Sequence, residues 1–386
     1  MKILLITQYF PPDLSAGSFR MSSLVNEFKK YISKNDVLEI YTTFPHRYDN
    51  YESDNIIIEK KNIKINRIKL FKHYNNKFVQ VLNYFIFFTW VLYKTKNKNY
   101  DKIFATSSKL MTSFLGSLIA KRLNIKIYCE FRDNFIQSLD LIGGIYNLTI
   151  IKYILNKIES FTCNNCEKLN LVSEGFNSYY ISKYPNIKLT NYTNGIDDLF
   201  LKYDYTNLNK THKKIKILYV GNIGSGQGLE KIIPHLAKKT MNIYDYLIIG
   251  DGNSKELLQK KIVEFKIHNV KILKPIERKL LKKYYKETDI VFLHLNNHES
   301  SKHVLPSKIF EYAATSKPIL AGLNGFSKSF CQKNINGCYI FNSSDVDDGL
   351  IKLKKIVKFY HDRKSFIDIY RRKNISNNLV KEILKL

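Results

Sequence analysis

Short, near-continuously apolar runs rich in β-branched and aromatic residues recur along this chain, each followed by a segment of helical periodicity. In the first half they are KILLIT (2–7), VLEIYTT (37–43), KIFATS (102–107), IKIYCE (125–130) and KLNLVSE (168–174). In the second they are IKILYVGN (215–222), YDYLIIGDG (244–252), NVKILKP (269–275), DIVFLHL (289–295) and KPILAG (317–322). A strand apolar on both faces must be covered on both faces. The alternation therefore predicts an α/β architecture of parallel sheets with helices on each side. The two halves also open alike: KILL (2–5) runs into a Pro- and Gly-containing loop, and KILY (216–219) runs into GNIGSGQG. Two doubly wound domains in tandem are expected, each with a ligand-facing loop behind its first strand. A length of 386 residues, 44% of them hydrophobic, is enough for two cores.

The polar, aperiodic LKYDYTNLNKTHKK (201–214) is the expected linker, with one domain over 1–200 and the other over 215–350. The basic stretch 351–386 carries Ile351, Ile356, Phe359, Phe366 and Ile369 at helical spacing. It predicts one or two amphipathic helices that pack back on the N-terminal domain. The opening MKILLITQYFPP has no cleavage pattern and reads as a buried first strand. The longest apolar stretch, FVQVLNYFIFFTWVLY (78–93), is interrupted by Gln80, Asn83 and Thr89 and is shorter than the roughly 20 residues a spanning helix needs. Lys69, Lys72 and Lys77 precede it, and Lys94, Lys96 and Lys98 follow. That pattern fits a surface helix dipping into an anionic leaflet as well as it fits a core helix with solvated ends.

The formal charge of +28 favours polyanionic partners, although only nine of the 62 basic residues are Arg and the Lys, Asn and Ile bias is that of AT-rich coding. The basic residues are spread along the chain without a recognition motif, so nucleic acid is not an expected partner. Five cysteines exclude a disulfide scaffold and fit a reducing compartment. Cys163-Asn-Asn-Cys166 lacks a second ligand pair at zinc spacing, and His294, His298 and His303 form no metal motif.

Three segments can carry chemistry. GNIGSGQGLE (221–230) follows a strong strand and precedes a helix-like run, so its glycines permit close approach of a phosphate to helix N-terminal amides. A tight turn with no ligand remains the alternative. In HVLPSKIFEYAATSKPILAG (303–322), Pro306 suits a first helical turn, which would put Ser307 and Lys308 at the positive helix end and Glu311 one turn on. Lys308 and Glu311 then serve either a diphosphate and a ribose, or each other on a solvated face. In IYCEFRDNFIQSLD (127–140), Glu130, Arg132 and Asp133 end a buried strand, where open α/β sheets place ligands, and acid–base and ion-pair readings are both open.

These segments resemble, in order, the GT-B-fold glycosyltransferases of the retaining family 4 type that build O-antigen, capsule and other bacterial surface polysaccharides, N-acetyl-L-fucosamine transferases among them. QYFPPDLSAGSFRMSSLVNEF (8–28), TTFPHRYDNY (42–51), FRDNFIQS (131–138), LVSEGF (171–176), TNGID (193–197), GNIGSGQGLE and LPSKIFEYAATSKPILAG carry the likeness, which covers roughly residues 1–340. It implies two Rossmann-like domains facing across a cleft, with a nucleotide sugar bound mainly by the C-terminal one. On this likeness Glu311 holds the donor ribose, Ser307 and Lys308 meet the diphosphate, and Asn222, Gly224 and Gln227 line the donor loop. Ile276 touches the base through its backbone, and Gly17 approaches the donor phosphates. Arg132 and Asp133 face the transferred sugar and acceptor. His303 stands where many relatives have a carboxylate, Ser225 and Gln227 where basic residues are common, and Phe135-Ile136 where Trp-Pro is usual.

The implied activity is sugar transfer with retention, from a UDP-linked donor to a polyprenyl-diphosphate-linked saccharide, with no metal or other cofactor. The implied location is the cytoplasm, peripherally on the anionic inner face of the plasma membrane. The alternatives are a GT-B-fold nucleotide-sugar 2-epimerase, which uses the same cleft without an acceptor, and, more distantly, a non-catalytic nucleic-acid- or anion-binding protein.

Overall fold

The computed structural model describes residues 1–13, 15–45, 62–71, 77–107, 110–139, 149–205, 213–357 and 360–386. Residues 46–51 of TTFPHRYDNY, Lys72, Asp140, half of the expected linker (206–212) and Phe359 lie outside the described residues, as does the side chain of Lys77. The chain divides into two units, Met1–Asn194 with Arg372–Leu386, and Gly195–Arg371.

The first unit contains β1 (Lys2–Ile6), β2 (Val37–Thr43), β3 (Ile63–Ile68), β4 (Lys102–Ser107), β5 (Ile127–Phe131), β6 (Lys168–Leu171) and β7 (Leu189–Thr190). They form one parallel sheet in the order β3-β2-β1-β4-β5-β6-β7. Its helices are α1 (Ala16–Tyr31), α2 (Lys77–Thr95), α3 (Met111–Leu123), α4 (Thr149–Asn165), α5 (Asn177–Lys183) and the last helix of the chain, Arg372–Leu384. Ser15 caps α1 by accepting from the Ser18 N–H, and Asn124 ends α3 in the left-handed conformation. Met21, Leu24, Val25 and Phe28 of α1 pack with Ile3 and Leu5 of β1 and with Leu379, Val380 and Ile383 of the last helix.

α2 is two-faced. Asn83, Phe87, Val91 and Thr95 are buried, whereas Phe78, Val81, Leu82, Phe85 and Tyr93 are exposed. Trp90, at the edge of the buried face, meets the Tyr41 ring edge-on at 5.5 Å. The stretch 78–93 is thus a core helix on one face and a solvent-facing apolar helix on the other.

The second unit repeats the plan with β8 (Ile215–Asn222), β9 (Tyr244–Asp251), β10 (Val270–Leu273), β11 (Ile290–His294), β12 (Ile319–Gly322) and β13 (Cys338–Phe341). All pair in parallel, in the order β10-β9-β8-β11-β12-β13. The helices are α6 (Asp198–Leu201), α7 (Leu229–Lys239), α8 (Lys255–Glu264), α9 (Arg278–Glu287), α10 (Lys308–Ala313), α11 (Gly325–Asn334), α12 (Val346–Lys354) and α13 (Lys364–Tyr370). Strand order reverses between β8 and β11, so the crevice that takes ligands in doubly wound sheets lies at the carboxyl ends of those two strands.

Two expected boundaries shift. The change of unit falls at 194/195 rather than within 201–214, because Ile196, Phe200 and Tyr205 are buried in the second unit's core with Tyr285 and Phe310. The C-terminal stretch does not move as one piece. Phe366 and Tyr370 of α13 join Phe310 and Phe330 in an aromatic cluster of the second unit, and only Arg372–Leu386 belongs to the first.

Candidate active site

In the first unit the loop behind β1 leads into α1, and Gly17 sits in the first helical turn. A Cβ at Gly17 would lie 1.7 Å from Nη1 of Arg132, so the guanidinium rests directly on this glycine's backbone. Arg132 follows β5, and its N–H donates to the Ser107 carbonyl at the end of β4 (2.9 Å). Asp133 is exposed beside it. The structure therefore brings Gly17, Arg132 and Asp133 to one carboxyl edge, between β1 and β5.

Glu130 resolves differently from its neighbours. It is fully buried and takes Arg20 in a bidentate pair (Nη2–Oε2 2.6 Å, Nε–Oε1 2.9 Å), with further donations from Thr106 and Asn170 at 2.9 Å each. The same guanidinium donates to the carbonyls of Tyr192 (2.7 Å) and Thr193 (2.6 Å). With four donated hydrogen bonds to its carboxylate, Glu130 is a structural ion pair beneath the site and has no open edge for acid–base work. Arg20, which spacing alone did not single out, is the residue that ties α1 to β5.

In the second unit β8 ends at Asn222, and residues 223–228 turn into α7. Gly228 takes φ +61°, which favours glycine, and a Cβ on Gly250 would stand 1.8 Å from the Gly221 carbonyl oxygen, so glycine is sterically required there. Asn222 donates its amide to the Gln227 Oε1 at 2.8 Å, and the Ser225 N–H donates to the Asn253 Oδ1 at 3.1 Å. Gly224 lies beneath the Asn222–Gln227 pair, its Cβ position 2.4 Å from the Asn222 amide nitrogen.

The third constellation begins at α10. Its first residue is Lys308 and Ser307 is the cap, so Pro306 precedes the helix rather than opening it. Lys308 Nζ donates to Glu311 Oε1 (2.8 Å), the Tyr285 hydroxyl donates to the same oxygen, and Arg278 faces Oε2 at 3.5 Å. Arg278 in turn pairs with Asp197 (2.5 Å) and lies over the Phe200 ring. Burial works to raise the Glu311 carboxyl, but Lys308, Arg278 and Tyr285 overrule it and hold the group below its ordinary range. Burial lowers the Lys308 ammonium, against the pull of Glu311. The Lys308–Glu311 pair exists, but on a buried face rather than a solvated one.

Asp197 of TNGID thereby belongs to the second unit, not to the N-terminal domain. Ile276 lies two residues before Arg278, packed on the core, and its backbone N–H and C=O make no hydrogen bond among the described residues. His303 closes the short 3-10 turn Glu299–His303, ahead of Ser307.

The expectation of metal-independent chemistry took the chain to have no Asp-x-Asp motif, but Asp345-Val-Asp347 has that spacing. Here Asp345 caps α12 through the Asp348 N–H, and Asp347 pairs with Lys239 at 2.8 Å. Among the described residues no three His, Cys, Asp or Glu converge as a metal site, and no helix is long and apolar enough to cross a membrane.

Residues 205–373 match the family described as "Glycosyl transferases group 1". No curated protein matches the chain in sequence. Among solved structures, the lipopolysaccharide outer core galactosyltransferase WaaB is 14% identical over 100% of both chains, with a TM-score of 0.65. HepE of Anabaena, solved with UDP and glucose, is 12% identical over 100% of this chain and 99% of its own, with a TM-score of 0.71. WaaG, a glycosyltransferase involved in lipopolysaccharide biosynthesis, is 12% identical over 98% and 95%, at 0.64. The chain thus has the GT-B fold, with two Rossmann-like parallel-sheet domains, and the family match falls on the second of them.

Proposed function

We propose that this chain is a retaining glycosyltransferase that moves a sugar from a UDP-linked donor to a saccharide carried on a polyprenyl diphosphate, in the assembly of a surface polysaccharide such as O-antigen or capsule. The observation that carries the donor half is the occupancy of Glu311. Its Oε1 accepts from Lys308 and Tyr285, while among the described residues Oε2 has only an ion-pair contact with Arg278 at 3.5 Å. A carboxylate oxygen with unspent lone pairs, fixed on a buried helix, suits a ribose hydroxyl. The family match over 205–373 and the UDP bound in HepE support the same assignment.

In this reading the Ile276 backbone reads the base, Glu311 takes the ribose, and Ser307 with Lys308 meets the diphosphate. Asn222, Gly224 and Gln227 shape the loop beside it, and His303 contacts the sugar. Departure of the nucleoside diphosphate leaves positive character at the anomeric carbon and negative charge on the leaving oxygen. Lys308 neutralises the latter without a metal ion, and an aimed donor of this kind lowers a barrier by about 3–4 kcal/mol. Gly17, Arg132 and Asp133 face the transferred sugar and the acceptor hydroxyl.

The acceptor half rests on the first unit's surface. Phe78 and Phe85 of α2 are 77% and 63% exposed, and α4 presents Ile150, Tyr153 and Ile154 on a second exposed face, with Lys157 over the Tyr153 ring. Apolar side chains beside lysines, on a chain of charge +28, suit an anionic leaflet carrying a lipid-linked acceptor.

The test is thermal stabilisation by UDP, GDP and ADP of the wild type and of Glu311→Gln. A rise with UDP that the variant loses supports the donor site. No rise with any of the three, in folded protein, refutes the transferase reading. Isomerisation of the donor sugar without an acceptor would point to an epimerase instead.

A further inference from the structure

Three consecutive carbonyls of the 223–228 loop are captured from one side by the end of β11. Asn296 Nδ2 donates to the Ser225 oxygen (2.8 Å), the Asn296 N–H to the Gly226 oxygen (2.9 Å), and His294 Nδ1 lies 2.6 Å from the Gln227 oxygen. The other imidazole nitrogen, Nε2, accepts from the Ser344 N–H at 3.0 Å. A carbonyl can only accept and an amide N–H can only donate, so Nδ1 carries the single proton and the ring is neutral. Burial favours the same state, pushing the imidazole down to about 4.

The ring cannot turn to other partners. It is fully buried, nearly parallel to Phe292 and stacked against Phe341, and its Cδ2 fills the space where a Cβ on Gly322 would lie (2.2 Å). Asn296 is oriented in the same way. Lys231 Nζ donates to its Oδ1 (3.1 Å), which leaves Nδ2 to the Ser225 carbonyl.

Peptide planarity converts this clamp into a functional statement. In a trans peptide the C=O and the following N–H point in opposite directions. Holding the three carbonyls toward β11 therefore turns the N–H groups of Gly226, Gln227 and Gly228 away from it. Gln227 and Gly228 donate to the Gly224 carbonyl (2.9 and 3.2 Å). The Gly226 N–H has no partner among the described residues, and nothing lies within 4 Å of a Cβ built there.

We propose that His294 and Asn296 are positioning residues for donor binding: from the far side of the loop they fix the peptide orientation that presents the Gly226 amide to the donor diphosphate. The inference rests on the nucleotide-sugar reading above, but the clamp itself is measurable without a ligand.

His294→Phe keeps the stacked ring and deletes both hydrogen bonds, and His294→Gln restores a donor and an acceptor. Asn296→Leu removes the side-chain bond to the Ser225 carbonyl, keeps the backbone N–H on Gly226, and leaves the core ring untouched. Amide hydrogen exchange of the loop is read first. His294→Phe and Asn296→Leu are expected to speed exchange at Gln227 and Gly228 at least tenfold, with His294→Gln partly restoring protection. UDP affinity is read next. A tenfold or greater loss is expected in both variants, seen as a raised donor KM with the acceptor KM unchanged. Wild-type loop exchange and UDP affinity in a folded Asn296→Leu or His294→Phe would overturn the proposal. Faster exchange with unchanged UDP binding would overturn its functional part. A wild type that binds no UDP, GDP or ADP while the clamp variants still loosen the loop would instead overturn the nucleotide-sugar reading.

Discussion

Replacing Glu311 by Gln tests both the electrostatics and the chemistry of the second unit. The carboxylate accepts a charge-assisted hydrogen bond from Lys308 and one from Tyr285, and faces Arg278 at 3.5 Å. Hydrogen bonds to charged groups contribute about 1.5–3 kcal/mol each. The partners are not stranded equally, however. The Tyr285 hydroxyl can still donate to a Gln oxygen, Arg278 keeps Asp197 at 2.5 Å, and Lys308 retains a quarter of its side-chain surface with which to reach water. One charged interaction is thus lost and one weakened, which places the cost at about 2–3 kcal/mol.

Lys308→Met leaves Glu311 with Tyr285 and Arg278 and is expected to cost about 1.5–2 kcal/mol, the lower end of the range for one charged hydrogen bond. The pH dependence gives a second readout. Glu311 is held below its unfolded value, so its contribution is complete above the ordinary carboxylate range and is lost as pH falls through the folded-state value. The Gln variant should lack that part of the acid-side slope. Urea titrations from pH 3 to 8, at constant m-value, measure all three quantities. Equal stability and equal acid slopes for wild type and Glu311→Gln would refute the ionised, three-partner carboxylate described above. Equal UDP affinity would refute its role at the ribose.

Other perturbations separate site from scaffold. Phe78→Ser with Phe85→Ser alters two exposed side chains, and should leave stability within about 0.5 kcal/mol while reducing sedimentation with phosphatidylglycerol vesicles. Phe87→Ala empties a fully buried position on the same helix and should cost about 3–5 kcal/mol in a denaturant titration. Gly17→Ala drives a methyl into the Arg132 guanidinium, a movable group, so the melting temperature should barely change while turnover falls sharply. Arg20→Met strands the buried Glu130 and the Tyr192 and Thr193 carbonyls, with an expected loss of about 3–5 kcal/mol in a urea titration. Adding Glu130→Met should recover part of it.

Much of the molecule was legible before any coordinates. VLEIYTT, KIFATS and IKILYVGN are strands at the residues expected, because a strand buried on both faces leaves an unbroken apolar run that few other elements produce. β3 (IKINRI), with its alternating polar residues, and β7, only two residues long, left no such run. The grouping of Ser307, Lys308 and Glu311 was visible because helical spacing is a local property. That Arg278 and Asp197 complete the cluster was not, since Arg278 lies 33 positions from Glu311 and Asp197 lies 114.

The sequence by itself determined the two parallel sheets, the glycine loop behind β8 and the residue types able to meet a nucleotide, because hydrophobic periodicity and turn chemistry act over a few neighbouring residues. Tertiary structure decided which face of α2 is core and where the chain changes unit. It also decided that Glu130 belongs to Arg20 and not to the site, and that the His294 ring is buried against the 223–228 loop, apart from His298 and His303. Each of these depends on which side chain meets which across the sheet, and on the desolvation that follows, and neither is encoded in spacing along the chain.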